Sequence, residues 1–314
     1  MKKDDQSHIE ELAHLYVDGA FDRRELLRRV GRITGGIAAA TIALESVGLQ
    51  AHTDDEELCT CPDDVRVPED APDLEVIHQV KFPGEAGTIL AHQARPLDAD
   101  PLPGILVIHE NRGLNDHIRD VTRRAARAGF VAVGIDLLSR FGGTPDDPEE
   151  ALALYQQTTV KGRLADMLSG IDYLQSLSIV QGNLLGAVGF CAGGGNCWNL
   201  ALNTGALSAA VVFYGAPAPS VDTLENLGPP VLAIYAELDR TLTRSILPVI
   251  TRLEELQKPL GFHVYEGTNH AFHNDTGANY NHIAACDAWC KTRAFFTEHL
   301  NESNRAKPLS RPVR

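Results

Sequence analysis

The stretch Gly189-Phe190-Cys191-Ala192-Gly193-Gly194-Gly195 constrains this chain more than any other. A near-continuous apolar run, Leu184 to Phe190, leads into it, and a segment of helical character, Gly194 to Leu202, leads out. Strand, sharp turn and helix are the setting in which a nucleophilic side chain is held at the tip of a strained turn. Glycines flank such a tip because a Cβ there would strike the neighbouring strand or helix. The middle residue here is a cysteine, with Gly189 two before it and Gly193 two after. Free cysteine packs well in apolar cores, so it is the glycine frame, not the residue type, that makes Cys191 a candidate nucleophile. An acid and a histidine must then follow it at later strand ends.

The chain around this turn alternates. Two short strand-like pieces, Leu74 to Ile77 and Thr88 to Ala91, are separated by a turn signal at Pro83-Gly84 and fit an antiparallel entry to a sheet. Apolar runs at Gly104 to His109, Val131 to Ile135, Leu184 to Phe190, Leu207 to Tyr214, Pro230 to Ala236 and Phe262 to Tyr265 read as strands. Helical periodicity falls between or after them, at Asp116 to Ala128, Pro148 to Gln156, Gly162 to Leu177, Thr243 to Gln257 and Asn281 to Leu300. The fold class expected is α/β: a mostly parallel, doubly wound sheet with helices on both faces. In such sheets the site lies outside the carboxyl ends of the strands.

Ahead of this region, residues 1–52 form an N-terminal segment. Ile9, Leu12, Leu15 and Tyr16 recur at helical spacing. Asp22-Arg23-Arg24-Glu25-Leu26-Leu27-Arg28, followed by a weakly apolar run from Ile33 to Leu44, resembles a twin-arginine export signal, with Leu49-Gln50-Ala51 as its best cleavage site. Export would place the chain in a periplasmic or extracytoplasmic compartment; a surface helix with a basic face would leave it cytoplasmic. Residues 53–73, rich in Asp, Glu and Pro, read as a linker, 74–300 as the catalytic domain and 301–314 as a polar tail. The formal net charge of −14 leaves no basic surplus to neutralise phosphates, which argues against nucleic acid as a partner. The apolar run is too short and too soon interrupted, by Glu45, for a stable membrane span. Six cysteines occur, at 59, 61, 191, 197, 286 and 290, without the paired spacing of a zinc site. A chain of 314 residues buries enough core to need no disulfides.

The ends of the later strands carry the required chemistry. Asp239 follows Val231 to Ala236, and His270 follows Phe262 to Tyr265. Cys191, Asp239, His270 is nucleophile, acid and base in the chain order of the α/β-hydrolases. The imidazole would take the thiol proton, and the carboxylate would hold the ring in the needed tautomer. Glu237 competes with Asp239 and His273 with His270, though His270 lies closer to its strand. After the strand ending near Ile108 comes His109-Glu110-Asn111-Arg112-Gly113-Leu114. The backbone N–H of Asn111, with that of Ala192, is the candidate oxyanion hole.

Gly-Phe-Cys-Ala-Gly-Gly at 189–194, His109-Glu110 with Arg112-Gly113-Leu114, Asp136-Leu137-Leu138 and Asn269-His270 together resemble the dienelactone hydrolases (carboxymethylenebutenolidases) over roughly Leu74 to Leu300. The resemblance implies an α/β-hydrolase fold with a Cys-His-Asp triad, working through a thioester on small esters or lactones with no cofactor and no metal. It implies that Glu110 holds the resting thiol and releases it as a thiolate when substrate arrives, and that Arg140 binds a substrate carboxylate. Dienelactone specialists carry a second such arginine four residues after the histidine. Asn274 stands there, and a neutral donor replaces a charged one. The other reading of the residues is a non-catalytic ligand-binding or thiol-sensing protein on the same scaffold.

Overall fold

The structure is a computed structural model that describes residues 7–9, 11, 12, 15, 26, 29, 30, 32, 33, 65–97, 99 and 101–301. Strand β1 (Leu74–Gly84) and β2 (Gly87–Pro96) form an antiparallel hairpin. Gly84 pairs with Gly87, so the turn is Glu85-Ala86, and Pro83-Gly84 extends the strand instead of making the turn expected of it. The remaining elements alternate: β3 (Leu102–Ile108), α1 (Asp116–Arg127), β4 (Val131–Asp136), α2 (Pro148–Gln157), α3 (Val160–Ser176), β5 (Val180–Phe190), α4 (Ala192–Asn203), β6 (Leu207–Phe213), β7 (Val231–Ala236), α5 (Arg240–Glu255), β8 (Leu260–Tyr265) and α6 (His282–His299). The sheet order is β1-β2-β4-β3-β5-β6-β7-β8. Strand β2 meets β4 antiparallel, and every pairing from β4 to β8 is parallel.

The central strands are apolar without interruption because helices cover both of their faces. The two-residue side-chain period then divides the core. Leu106 and Ile108 of β3 join one cluster, with Trp198 and Tyr235, while Ile105 and Val107 join another, with Phe190, Phe213 and Phe272. Helix starts are set locally. Side-chain oxygens of Asn115, Asp147, Thr159 and Asn281 accept from first-turn amides of α1, α2, α3 and α6 at 3.1, 2.9, 3.0 and 3.1 Å.

The flanking segments depart from expectation in part. Ile9, Leu12 and Leu15 are helical, and Ile9, Leu12, Leu26 and Val30 are buried in the first core cluster. Tyr16, Arg23, Arg24, residues 34–44 and the cleavage site at 49–51 lie outside the described residues, as do 53–64 of the expected linker. The described end of that linker is part of the fold. The Val67 amide donates to Asp120 Oδ1 at 2.7 Å, and its carbonyl accepts from Arg123 Nε at 2.7 Å. Charge and proline marked the stretch as solvated, but Val67, Ala71 and Leu74 supply an apolar edge that packs with Ala94 and Ala126. Of the tail, only Asn301 is described. Disulfides, which the chain's length did not call for, are nonetheless present. Cys286 and Cys290 of α6 are disulfide-bonded, while Cys191 and Cys197 are free thiols. Chain length removes the need for bridges without forbidding them.

Candidate active site

Cys191 sits between β5 and α4 with φ 54° and ψ −120°, a left-handed conformation that costs a non-glycine residue about 1–3 kcal/mol. Surrounding bonds hold it there. Its amide donates to the Phe213 carbonyl at 3.0 Å, and its carbonyl accepts from the Gly194, Gly195 and Ala216 amides at 2.9, 3.2 and 3.1 Å. The glycine frame is a matter of space. A Cβ on Gly189 would lie 2.0 Å from the Gly193 oxygen, and one on Gly193 would lie 2.4 Å from the oxygens of both Ile108 and His109. The Cys191 side chain is half-buried. Cys197, one helical stretch later, is sealed in the core, where burial pushes its thiol up to about 12.

Asp239 stands at the start of α5, yet its carboxylate makes no cap bond there. Its Oδ2 accepts from His270 Nδ1 at 2.5 Å instead. This fixes the proton on Nδ1 and leaves Nε2 on the other side of the ring, and Cys191 is close enough to His270 to raise its pKa. Burial alone would lower the His270 pKa. The hydrogen bond to Asp239 and the interactions with Cys191 and with the Asp239 charge outweigh it and raise the value to about 10.

The competing residues are employed elsewhere. Glu237 Oε2 accepts from the Gly267 amide at 2.8 Å and steadies the loop that carries His270. His273 is wholly buried against Phe190 and Phe213, with neither ring nitrogen hydrogen-bonded, and burial holds it neutral.

His109 is buried at the end of β3. Its Nε2 accepts from the Leu137 amide at 3.0 Å, so the proton resides on Nδ1, which donates to the Glu110 carbonyl at 2.5 Å. That bond turns the chain immediately before Asn111. Neither the Asn111 nor the Ala192 amide donates to a described turn or loop carbonyl. Glu110 is buried. Its Oε2 accepts from Asn274 Nδ2 at 3.0 Å, and its Oε1 has no partner among the described residues. Asn274 in turn accepts from Thr276 N and Oγ1 at 3.0 and 2.7 Å. The residue at the second-arginine position is thus spent on Glu110.

Arg140 is not brought to this cluster by any described contact. It lies in a short 3-10 turn, Ser139–Phe141, and its Nη2 donates to the buried Asp166 at 2.5 Å. Two tyrosines that sequence reasoning passed over do border the site. The Tyr214 ring lies 5.0 Å from that of His270, and burial, with charge at Glu110 and Cys191, raises its hydroxyl pKa. Its position directly after β6 was a usable signal, since residues just beyond a strand are where this fold puts function. Tyr155 of α2 lies 6.2 Å from His109, ring to ring, and its hydroxyl accepts from Asn196 Nδ2 at 3.0 Å. No motif marked it.

The sequence profile of the dienelactone hydrolase family matches residues 89–300, which contain the ends of β3, β5, β6, β7 and β8. The chain belongs to the dienelactone hydrolase family. It is similar to a Saccharolobus solfataricus protein provisionally named carboxymethylenebutenolidase, 28% identical over 254 residues that span 69% of this chain and 96% of the relative. A Bradyrhizobium protein provisionally named 2-oxo-3-(5-oxofuran-2-ylidene)propanoate lactonase is 31% identical over 223 residues, 67% of this chain and 90% of its own. Among solved structures, a Klebsiella pneumoniae protein provisionally named dienelactone hydrolase superposes with a TM-score of 0.66 at 28% identity, covering 72% of this chain and 99% of that one. The α/β-hydrolase fold expected from the strand–helix alternation is the fold found, and this family member is a hydrolase of the dienelactone hydrolase type. Among the described residues, no helix is long and apolar enough to cross a membrane.

Proposed function

We propose that this family member hydrolyses small esters or lactones through a thioester on Cys191. The observation that carries the reading is His270, bonded to Asp239 through Nδ1 and close enough to Cys191 to interact with it, with each of the three at a different strand end. His270 Nε2 takes the Cys191 thiol proton, the thiolate attacks the substrate carbonyl carbon, and the carbonyl electron pair moves onto oxygen. The Asn111 and Ala192 amides donate to that oxyanion, the contribution that is usually the largest single one in such reactions. Collapse breaks the C–O bond, and His270 Nε2 gives its proton to the leaving alkoxide. A water molecule then loses a proton to His270 and attacks the thioester, and the thiolate leaves. Glu110, shielded from solvent beside this cluster, is the group that restrains the resting thiol. The lactone in the Bradyrhizobium relative's name supports cyclic esters as substrates here.

Cys191→Ala is expected to abolish turnover of an activated ester such as p-nitrophenyl acetate. Undiminished turnover would overturn the assignment, and thiol labelling at mildly acidic pH without any esterase activity would favour a sensing role. Bonded Cys286 and Cys290 also favour an oxidising compartment, which export would supply. Fractionation of cells expressing the full chain reads this directly.

A further inference from the structure

The loop that follows β8 carries two groups used at the site: His270 near its start, and Asn274, whose Nδ2 donates to Glu110 Oε2 at 3.0 Å. The Asn274 amide is not free to turn. Its Oδ1 accepts from Thr276 N and Oγ1 in an Asx turn, which engages the carbonyl and leaves the NH2 group for Glu110. Glu110 Oε1 has no partner among the described residues, so the Asn274 bond is the one described restraint on this buried carboxylate. Where the Asn274 backbone sits therefore decides how Glu110 lies.

Asp275, the next residue, pins that backbone. Its side chain is only 6% exposed and collects three donors: Arg66 Nε at 3.0 Å, Arg124 Nη2 at 2.6 Å and His117 Nδ1 at 2.9 Å. Arg66 Nη2 also donates to the Asp275 main-chain carbonyl at 3.1 Å, so side chain and backbone are held together. Burial opposes the charge, but the His117 hydrogen bond and the Arg124 and Arg66 cations outweigh it and hold the carboxyl well below the usual carboxylate range. An exposed ion pair would be worth little, whereas charged donors on a carboxylate this sheltered make strong bonds. The donors come from two places. His117 and Arg124 belong to α1, where Arg124 also pairs with Asp120. Arg66 belongs to the approach to β1, and the amide of its neighbour Val67 donates to the same Asp120. That approach precedes residues 89–300, so a segment outside the family profile closes the clamp.

We propose that Asp275 is a positioning residue for the resting thiol: clamped by α1 and by Arg66, it seats Asn274 against Glu110 and so keeps the Glu110 carboxylate where it restrains Cys191. The inference rests on the reading that Glu110 restrains the thiol, and adds to it the residues that set Glu110 in place. Loosening the clamp lets Glu110 shift, and the thiol then reacts more readily with an electrophile in the absence of substrate.

The test is the rate of Cys191 alkylation by iodoacetamide in the full chain at neutral pH without substrate, read by peptide mass. Glu110→Gln is the reference and should raise the rate. Asp275→Asn should raise it roughly two- to ten-fold, the equivalent of one neutral hydrogen bond, and should add nothing further in the Glu110→Gln background. Arg66→Gln separates position from charge. Loss of a cation by itself disfavours the thiolate and slows alkylation, whereas a displaced Glu110 speeds it. A faster rate is expected, with part of the change reversed in Arg66→Lys. An unchanged or slower rate in Arg66→Gln would overturn the proposal, as would an Asp275→Asn effect that persists undiminished in the Glu110→Gln background. Should Asp275→Asn fail to fold, the Arg66 variants decide alone, since that side chain is 58% exposed. An unaltered rate in Glu110→Gln removes the restraint reading and the proposal together; an unaltered rate in the Asp275 and Arg66 variants only removes the proposal alone. Ester turnover by Cys191→Ala tests the hydrolase reading apart from both.

Discussion

Gly193→Ala tests how the elbow and the oxyanion loop are fitted together. The added Cβ would lie 2.4 Å from the oxygens of both Ile108 and His109, and real Cβ contacts essentially never fall below 3.0 Å. The difference, 0.6 Å, is the least displacement that relieves the clash. Both obstacles are backbone, and both belong to the strand end that carries Asn111, so a rotamer change provides no escape. Overpacking of this kind costs about 1–3 kcal/mol, which corresponds to a fall in Tm of roughly 3–10 °C for a domain of this size. The same shift moves the Asn111 amide relative to Cys191, and a misplacement approaching 1 Å costs on the order of a hundred-fold in rate. The assay is thermal unfolding together with p-nitrophenyl acetate turnover for Gly193→Ala, with Gly205→Ala as the control, since a Cβ at Gly205 meets nothing within 4 Å. The control should stay within about 0.5 kcal/mol of wild type. A Gly193→Ala protein that melts and turns over as wild type does would refute the reasoning.

Further predictions concern the charged groups and the thiols. Burial opposes the charge on His270, but Asp239 and Cys191 prevail and hold its folded pKa near 10, above the unfolded value of about 6.5. Its contribution to stability is therefore complete below about 6.5 and fades as pH rises through 10, and kcat/KM should show an alkaline limb near 10 that Asp239→Asn moves to lower pH. Asn274→Ala removes the described donor to Glu110 and leaves a buried carboxylate unpaired, so chemical denaturation should show a loss of about 1.5–3 kcal/mol. Peptide mapping after alkylation of the native protein should find Cys191 modified and Cys197 protected. Denaturation should expose Cys197, and Cys286 and Cys290 should react only after reduction.

Much of this fold was legible because parallel strands buried on both faces leave long apolar runs, and each run from Gly104 onward marks a real strand. The hairpin turn was misplaced by two residues because a Pro-Gly pair on an edge strand carries the same signal as one in a turn. The approach to β1 was misread because acidic residues and prolines hid Val67 and Ala71, which pack with Leu74, Ala94 and Ala126. The positions of Cys191, Asp239 and His270 were readable from chain order and strand ends, and the structure bonds His270 to Asp239, with Cys191 close enough to affect the ring. Arg140 illustrates what position alone leaves open. Its partner Asp166 lies 26 residues later on α3, and nothing local in the sequence announces that pairing. Tyr155 carries no motif, and only the packing of α2 against the first turns of α4 brings it beside His109.

Covalent trapping on Cys191 bears on the central claim most directly. Wild-type protein is mixed with excess p-nitrophenyl acetate, quenched in acid within the first turnover and mapped by peptide mass, while released p-nitrophenolate is followed in parallel. A stoichiometric burst with the acetyl group on the peptide containing Cys191, lost in Cys191→Ser quenched at the same time, is the predicted result. Turnover with no acetyl on that peptide, or with acetyl on another residue, would contradict it.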